Sequence, residues 1–136
     1  MKTIIQFVFV PVFLACLGCH GAEQIAYSYK GFDTNGALVI KGVLNLQISA
    51  NNHVSGDWNF QAADSNVSDK IRRTAGSGKL FGTLDEKKLD LNLNPEMADN
   101  NVMLHGILTT TNISGNWGHY GFAGLMAGGK FEAVKQ

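Results

Sequence analysis

Cysteine, proline and charge are all scarce in this sequence of 136 residues. Its two cysteines are both in the first twenty residues, as Cys16-Leu17-Gly18-Cys19. This spacing occurs in redox and zinc motifs, but an apolar leader offers neither a folded helix N-terminus nor two further ligands. The 11 basic and 11 acidic residues balance, which excludes a strongly basic nucleic-acid-binding surface. Hydrophobic residues make up 45% of the chain, enough for one folded domain with a packed core.

The N-terminal segment is predicted to be an export signal. Met1 and Lys2 provide a positively charged start, and residues 4–17 form an apolar stretch that ends among small residues. About 14 apolar residues interrupted by Pro11 fall short of the roughly 20 that a transmembrane helix needs. We therefore predict a signal peptide over residues 1–18 and an exported protein.

The residues around Cys19 resemble the lipobox of bacterial lipoproteins, in which a lipid-modified cysteine becomes the first residue of the mature chain. Gly18 matches the small residue before that cysteine and Leu17 is acceptable one position earlier, whereas Cys16 stands where leucine is usual. The resemblance implies lipidation of Cys19 and a short tether over residues 19–24. It also implies attachment to a membrane of the bacterial cell envelope.

Two alternatives to lipidation at Cys19 stay open. Cys16 is a second candidate for the lipid-modified residue. Ordinary cleavage after Gly18 or Gly21 would release a periplasmic or secreted protein without a lipid.

From residue 25 onward, apolar and polar residues alternate with a period of two, which predicts β-strands. In residues 38–48, for example, Leu44 and Leu46 share one face while Asn45 and Gln47 share the other. The predicted strands are residues 25–29, 38–48, 54–60, 80–84, 89–93, 102–108, 113–117 and 125–133. Residues 62–78 lack alternation and are predicted to form a long loop over one rim.

No stretch is helical enough to connect parallel strands, so the fold class is all-β, an antiparallel meander of about eight strands. Eight strands with one apolar face most simply close into an up-and-down β-barrel, which removes exposed sheet edges. An open sandwich or half-barrel has the same alternation and stays an alternative. We assign the domain to residues 25–136.

An internal repeat supports the barrel. Residues 40–44, 80–84 and 104–108 share one template with a glycine at its centre, and residues 54–58 share a second with residues 113–117. The central glycines lie at inward positions, where they are expected to leave space for large neighbours and to allow sharp bending of the sheet.

The Gly-x-Trp patterns of residues 56–58 and 115–117, together with the strand count, resemble the calycin barrels, which include the lipocalins and avidin-type proteins. Lipocalins have this pattern on their first strand, whereas here it lies on about the third and seventh strands. The resemblance therefore implies an architecture for residues 25–136 and no particular ligand.

The predicted barrel interior is almost entirely apolar, which argues against a polar ligand of the kind that needs convergent polar groups. Either the core is filled by side chains or it contains a cavity for a small apolar ligand. In the second case Trp58, Trp117, Tyr27 and Tyr29 are expected to line the cavity.

Catalytic and metal-binding groups are not brought together by the pattern. The four histidines are scattered, and His119 is predicted in a rim loop beside Tyr120. We therefore expect no enzyme, no metal site and no cofactor. Two functions stay open: a lipocalin-like carrier of a small apolar ligand, and a protein-interaction or inhibitor domain whose rim loops contact a protein partner. The lipid anchor would make the membrane a further partner.

Overall fold

The structure is a computed structural model that describes residues 22–136. These residues form a closed barrel in which each strand pairs antiparallel with the next and the last strand pairs with the first. The eight strands are β1 (Gln24–Phe32), β2 (Leu38–Ile48), β3 (His53–Ala62), β4 (Gly76–Asp85), β5 (Lys88–Asn92), β6 (Asn101–Leu108), β7 (Asn112–Gly121) and β8 (Gly124–Lys135). The predicted all-β fold and the predicted closure are confirmed. The predicted signal peptide and lipidation site lie outside the described residues.

The alternating pattern produces the barrel because its apolar positions face inward on every strand. In β3, for example, Val54, Trp58 and Phe60 are buried while Asn59 is exposed. All eight strands contribute to the core, whose largest side chains are Tyr27, Tyr29, Trp58, Phe60, Trp117 and Phe131. Burial of each large apolar side chain contributes about 1.5–3 kcal/mol, so the core supplies the main stabilisation of the fold.

The central glycines of the repeated template allow neighbouring strands to approach closely. A Cβ atom on Gly82 would lie 2.0 Å from the backbone oxygen of Asp90 on β5, and one on Gly42 would lie 2.0 Å from that of Asn59 on β3. No side chain fits at these distances, so only glycine permits this strand geometry. The predicted reason for these glycines therefore needs refinement, because they make room for backbone as well as for large side chains.

Two register shifts reverse the predicted orientation of individual side chains. Gly31 pairs with Ile40 and Phe32 with Leu38, so one extra residue of β2 lies between them. His119 pairs with Ala127 and Tyr120 with Leu125, which leaves an extra residue in β8. The strand pattern predicts Leu38 and Leu125 to be inward, but they are 39% and 64% exposed. A bulge adds one residue to one strand and so shifts the alternation beyond it.

The connection between β3 and β4, residues 63–75, covers one end of the barrel, and we name it the cap. It contains the short helix α1 (Asp69–Arg72), and its Val67 and Thr74 are buried. The predicted long loop of residues 62–78 is therefore shorter, and β4 begins at Gly76. The first residues of β4 show no apolar alternation in the sequence, because the apolar surface over Gly76 and Gly78 comes from the side chain of Trp58.

The up-and-down order separates the connections into two ends of the barrel. The β1–β2, β3–β4, β5–β6 and β7–β8 connections lie at one end, which we name the loop end. The chain enters β1 and leaves β8 at the opposite end, which we name the terminal end. There the backbone N–H of Gln136 donates to the carbonyl of Ala26 (2.9 Å).

Candidate ligand-binding cleft

An open cleft of about 1000 Å³ lies at the loop end, between the β1–β2 turn and the β7–β8 hairpin. This volume lies at the upper end of the range that small-molecule sites occupy. The lining side chains that present apolar surface are Phe32, Trp117, Tyr120, Leu125, Met126 and Ala127. The polar residues Asp33, Asn35, Asn116 and Lys130 line it as well. The lining of the cleft thus combines apolar and polar side chains.

Trp117 forms part of the cleft and is held in one orientation by a hydrogen bond. It is a buried residue of β7, and its indole Nε1 donates to the carbonyl oxygen of Phe32 at the end of β1 (2.9 Å). Gly129 is the strand partner of Trp117, and a Cβ atom there would lie 1.9 Å from the same oxygen. Glycine at this position therefore allows the end of β1 to approach β8 and to present its carbonyl to the indole.

The β1–β2 turn forms one wall of the cleft and is fixed by its own side chain. The Asp33 carboxylate accepts hydrogen bonds from the backbone N–H groups of Asn35 and Ala37, both at 2.9 Å. Gly36 has a φ of 83°, a conformation that glycine adopts without strain. Asp33 is thus occupied in shaping the turn, since aspartate commonly bonds to backbone N–H groups in such turns.

The β7–β8 hairpin forms the opposite wall and exposes apolar side chains. Because β1 ends at Phe32, residues 124–129 of β8 pair only with β7. Phe122 at the tip of the hairpin is 90% exposed, and Leu125, Met126 and Tyr120 are exposed beside it. Contiguous exposed apolar surface of this kind is typical of a binding site.

The four residues predicted to line a ligand cavity are separated by the structure. Trp117 lines the cleft, whereas Tyr27, Tyr29 and Trp58 are buried in the core and do not belong to the lining of the cleft. Their assignment to a ligand site stays a prediction.

Aromatic side chains occupy the middle of the barrel. The ring of Tyr29 stacks on that of Phe60 with a centroid distance of 4.1 Å and on that of Phe131 at 5.6 Å. Trp58 packs against Phe60 and donates its Nε1 proton to the carbonyl of Leu93 (2.7 Å). Burial raises the pKa of Tyr29, as expected for a phenol within this apolar stack. These contacts correspond to the filled core, one of the two alternatives left open by the sequence.

The prediction that His119 lies in a rim loop is wrong. His119 lies on β7 and is 1% exposed. The strand continues through its glycines because Gly118 pairs with Gly128 and Gly121 with Gly124 on β8. The Nε2 atom of His119 donates to Oδ1 of Asn100 (2.6 Å). Its predicted inward orientation is correct.

Other polar groups of the barrel are spread over its outer surface. His105 and Asp90, on paired strands, form a hydrogen-bonded pair that is about half exposed. Residues 22–136 contain no group of three or more histidine, cysteine, aspartate or glutamate side chains placed to hold a metal ion. Within the same residues, no helix has the length and apolarity needed to span a bilayer.

The fold is that of the avidin-type barrels, as the Gly-x-Trp patterns and the strand count predict. The chain superposes on rhizavidin, solved as a complex with biotin, with a TM-score of 0.55 and 12% identity over 88% of this chain and 97% of rhizavidin. It superposes on ligand-free short afifavidin with a TM-score of 0.54 and 15% identity over 85% of this chain and 99% of afifavidin. No family model and no curated protein matches the sequence. At these identities the likeness concerns the fold alone.

The residues of the cleft, apart from Trp117, were not predicted from the sequence. Phe32 and Lys130 come together because they are partners in the closing β1–β8 pair, and Met126 is the extra residue of the β8 bulge. The one local signal is the pair Gly128-Gly129 opposite Gly118 and Trp117, since glycines within a strand mark close approach of backbone.

Proposed function

We propose that this protein is a binding module for a small apolar ligand and that the cleft at the loop end is its binding site. The observation that supports this function is the open apolar cleft, next to an interior that aromatic side chains already occupy. The likeness to rhizavidin, which was solved with bound biotin, adds a small-molecule precedent for the fold.

The driving force for binding would be the removal of exposed apolar surface from water. Leu125 and Met126 are the most exposed apolar side chains of the cleft, Phe32 is half-buried beside them, and the largely buried Trp117 contributes only the edge of its ring. Every 100 Å² of apolar surface covered by a ligand contributes about 2.5 kcal/mol. Lys130 and Asn116 also line the cleft, and the ammonium and amide groups that they carry would orient a polar end of the ligand.

The test uses the neutral fluorescent probe N-phenyl-1-naphthylamine and two matched variants. We expect the wild-type domain to bind the probe with a rise in fluorescence. Leu125→Asp should weaken binding at least tenfold, because it places a charge in the apolar cleft. Ile107→Asp is the control, since Ile107 is also an exposed aliphatic residue but lies on β6, outside the cleft. Absence of probe binding, or equal losses in both variants, would contradict the assignment.

A protein-interaction or inhibitor domain is the second candidate. It is favoured by Phe122, which is 90% exposed, at the tip of a hairpin whose next residues also expose apolar groups. A photoreactive phenylalanine analogue at position 122 should then crosslink to one defined protein in cells. Leu125→Asp should abolish that crosslink and Ile107→Asp should preserve it. If no crosslinked protein forms, the protein-interaction function fails.

We also propose that the protein is exported and attached to a bacterial membrane through a lipid on Cys19. The sequence around Cys19 supports this, and β1 begins at the end of the barrel opposite the cleft. The nine residues of β1 span about 30 Å, so an anchored barrel would open its cleft away from the bilayer.

Mass spectrometry of the mature N-terminus tests the anchor. We expect an acylated chain that begins at Cys19, and Cys19→Ala should move the protein from the membrane fraction to the soluble fraction. Cys16→Ala is the matched control and should leave the protein on the membrane. An unmodified chain that begins after Cys19 would contradict the proposal.

A further inference from the structure

The edge of β8 that borders the cleft has no neighbouring strand. β1 pairs with β8 only as far as the partners Phe32 and Lys130, so residues 124–128 of β8 are paired on their β7 side alone. The β1–β2 turn does not replace the missing strand. Its backbone hydrogen bonds stay within the turn, as does the one from the N–H of Asp33 to the carbonyl of Ala37 (2.9 Å). The backbone of residues 124–128 therefore presents a free edge, most of it in the lining of the cleft.

This free edge offers a hydrogen-bond donor and an acceptor at Gly128. The N–H of Lys135 donates to the carbonyl of Thr111, just before β7 (2.8 Å). The N–H of the next residue, Gln136, donates to the carbonyl of Ala26 on β1 (2.9 Å). Backbone groups of successive strand residues point to opposite neighbours, and the register is unbroken along this part of β8. The N–H and C=O groups of Gly128 therefore point away from β7, into the space beyond the end of β1.

Apolar side chains lie on both faces of the free edge. On the outer face, Leu125 covers two glycines, since its Cδ1 atom is 3.7 Å from a Cβ atom built on Gly128 and 3.1 Å from one built on Gly118. On the inner face, Ala127 packs against the core and Trp117 lines the cleft. Successive side chains of a strand point to opposite faces, so a strand added here would find apolar partners on each face.

We propose that the cleft binds an extended peptide segment of a partner protein, which pairs with residues 124–128 of β8 as an additional strand. Strand addition of this kind takes its affinity from main-chain hydrogen bonds and its specificity from contacts to alternate side chains. Gly128 supplies the main-chain groups, and Leu125, Ala127 and Trp117 supply the apolar surface. The proposal rests on the cleft being the binding site, and it describes the partner of the protein-interaction function given above as the second candidate.

The size of the cleft fits such a segment. One residue of a sheet takes up about 3.4 Å along its strand, about 4.8 Å between strands and about 10 Å between layers, or roughly 160 Å³. The cleft of about 1000 Å³ would then hold about six residues. Because the free edge lies opposite the β1–β2 turn, a single extended segment enters this space more readily than the edge of a second folded barrel.

The charges of the cleft favour an acidic residue in the segment. Lys130 and Asp33 are the charged residues of the lining, and the Asp33 carboxylate already accepts two backbone hydrogen bonds. Lys130 forms no salt bridge within residues 22–136. A segment of alternating apolar residues with one carboxylate therefore complements the cleft.

Amide exchange of the mature protein, measured by NMR with and without peptide, tests the proposal. The peptides are capped hexapeptides with valine, leucine or phenylalanine at alternate positions, threonine between them and glutamate at the end. The best binder is identified by displacement of N-phenyl-1-naphthylamine. We expect it to slow exchange of the Gly128 amide at least tenfold, from free exchange in the unbound protein. The Gly129 amide points to β7 and is the matched control, which should be protected in both states. The naphthylamine probe alone should leave Gly128 unprotected.

The outcomes separate this proposal from the small-ligand function. If the naphthylamine probe binds and Leu125→Asp weakens its binding, but no peptide protects Gly128, the peptide proposal is overturned and the small-ligand function stands. If neither the probe nor any peptide binds, both fail. A Gly128 amide that is protected in the free protein at every concentration would show that the edge is already covered, which overturns the proposal. Protection that rises with protein concentration would identify a second copy as the occupant and overturn it as well.

Discussion

Replacing Trp58 by phenylalanine tests whether the barrel interior is filled. The indole of Trp58 is buried and donates a hydrogen bond to the carbonyl of Leu93, which is also buried. Phenylalanine cannot donate, so Trp58→Phe leaves this carbonyl without its partner in a site from which water is excluded. The loss of such a bond costs about 1–3 kcal/mol.

The smaller ring also leaves a gap. The centroid of the Trp58 ring lies 5.2 Å from that of the Phe60 ring, and the indole fills the space next to Gly78. Each buried CH₂-sized group that is lost contributes about 0.8 kcal/mol, and the surrounding strands can close only part of the gap. Together with the lost hydrogen bond, we expect a total destabilisation of about 2–4 kcal/mol.

Trp117→Phe provides a matched comparison. It removes the same N–H group, but the acceptor, the carbonyl of Phe32, lies beside the open cleft, where water can replace the indole. We therefore expect a smaller loss, of about 1–2 kcal/mol. Only this second variant should change the affinity for the naphthylamine probe, because Trp58 does not line the cleft.

Urea unfolding followed by far-ultraviolet circular dichroism measures both losses without relying on tryptophan fluorescence. With a slope of about 1–3 kcal/mol per molar urea, Trp58→Phe should lower the unfolding midpoint by roughly 1–2 M. Equal losses in the two variants, or a loss below about 1 kcal/mol for Trp58→Phe, would refute the reasoning. Trp58 would then border a space that water can enter.

Three further substitutions test local features of the barrel by the same unfolding assay. Gly82→Ala should cost at least about 3 kcal/mol, because its Cβ would lie 2.0 Å from the backbone oxygen of Asp90. Gly106→Ala should cost only about 1–2 kcal/mol, because the closest contact of its added Cβ atom is the end of the Phe131 ring at 2.9 Å. Equal destabilisation by Gly82→Ala and Gly106→Ala would contradict this interpretation. Asp33→Ala removes both hydrogen bonds that fix the β1–β2 turn, so we expect about 1–2 kcal/mol of destabilisation and weaker probe binding. Unchanged probe binding would show that the turn does not shape the site.

The sequence predicts the fold well because a barrel of hairpins depends on local alternation. The inward positions of Tyr29, Trp58 and Trp117 follow directly from that alternation. Alternation does not reveal where a strand gains a residue, and for this reason Leu38 and Leu125 were predicted on the wrong face.

The candidate site was less predictable because it depends on contacts between distant residues. Phe32 and Lys130 meet across the closing pair of strands, and no local pattern specifies where that pairing ends. The start of β4 at Gly76 was missed for a similar reason, since the apolar surface that belongs there comes from Trp58 on another strand. The strand assignment of His119 depends on glycine pairs that are indistinguishable in sequence from those of a loop.

The pairing of β8 with β1 also bears on the order in which the strand pairs are expected to form. Tyr27 pairs with Lys135, at nearly opposite ends of the described chain, whereas every other strand pair joins neighbours in sequence. Local hairpins form in microseconds, but contacts across such a separation have to overcome a larger loop-closure entropy. Until the last strand arrives, β1 and β7 each present an unpaired edge, the kind of surface on which chains aggregate. We therefore expect the folding chain to be most prone to aggregation just before β8 pairs with β1.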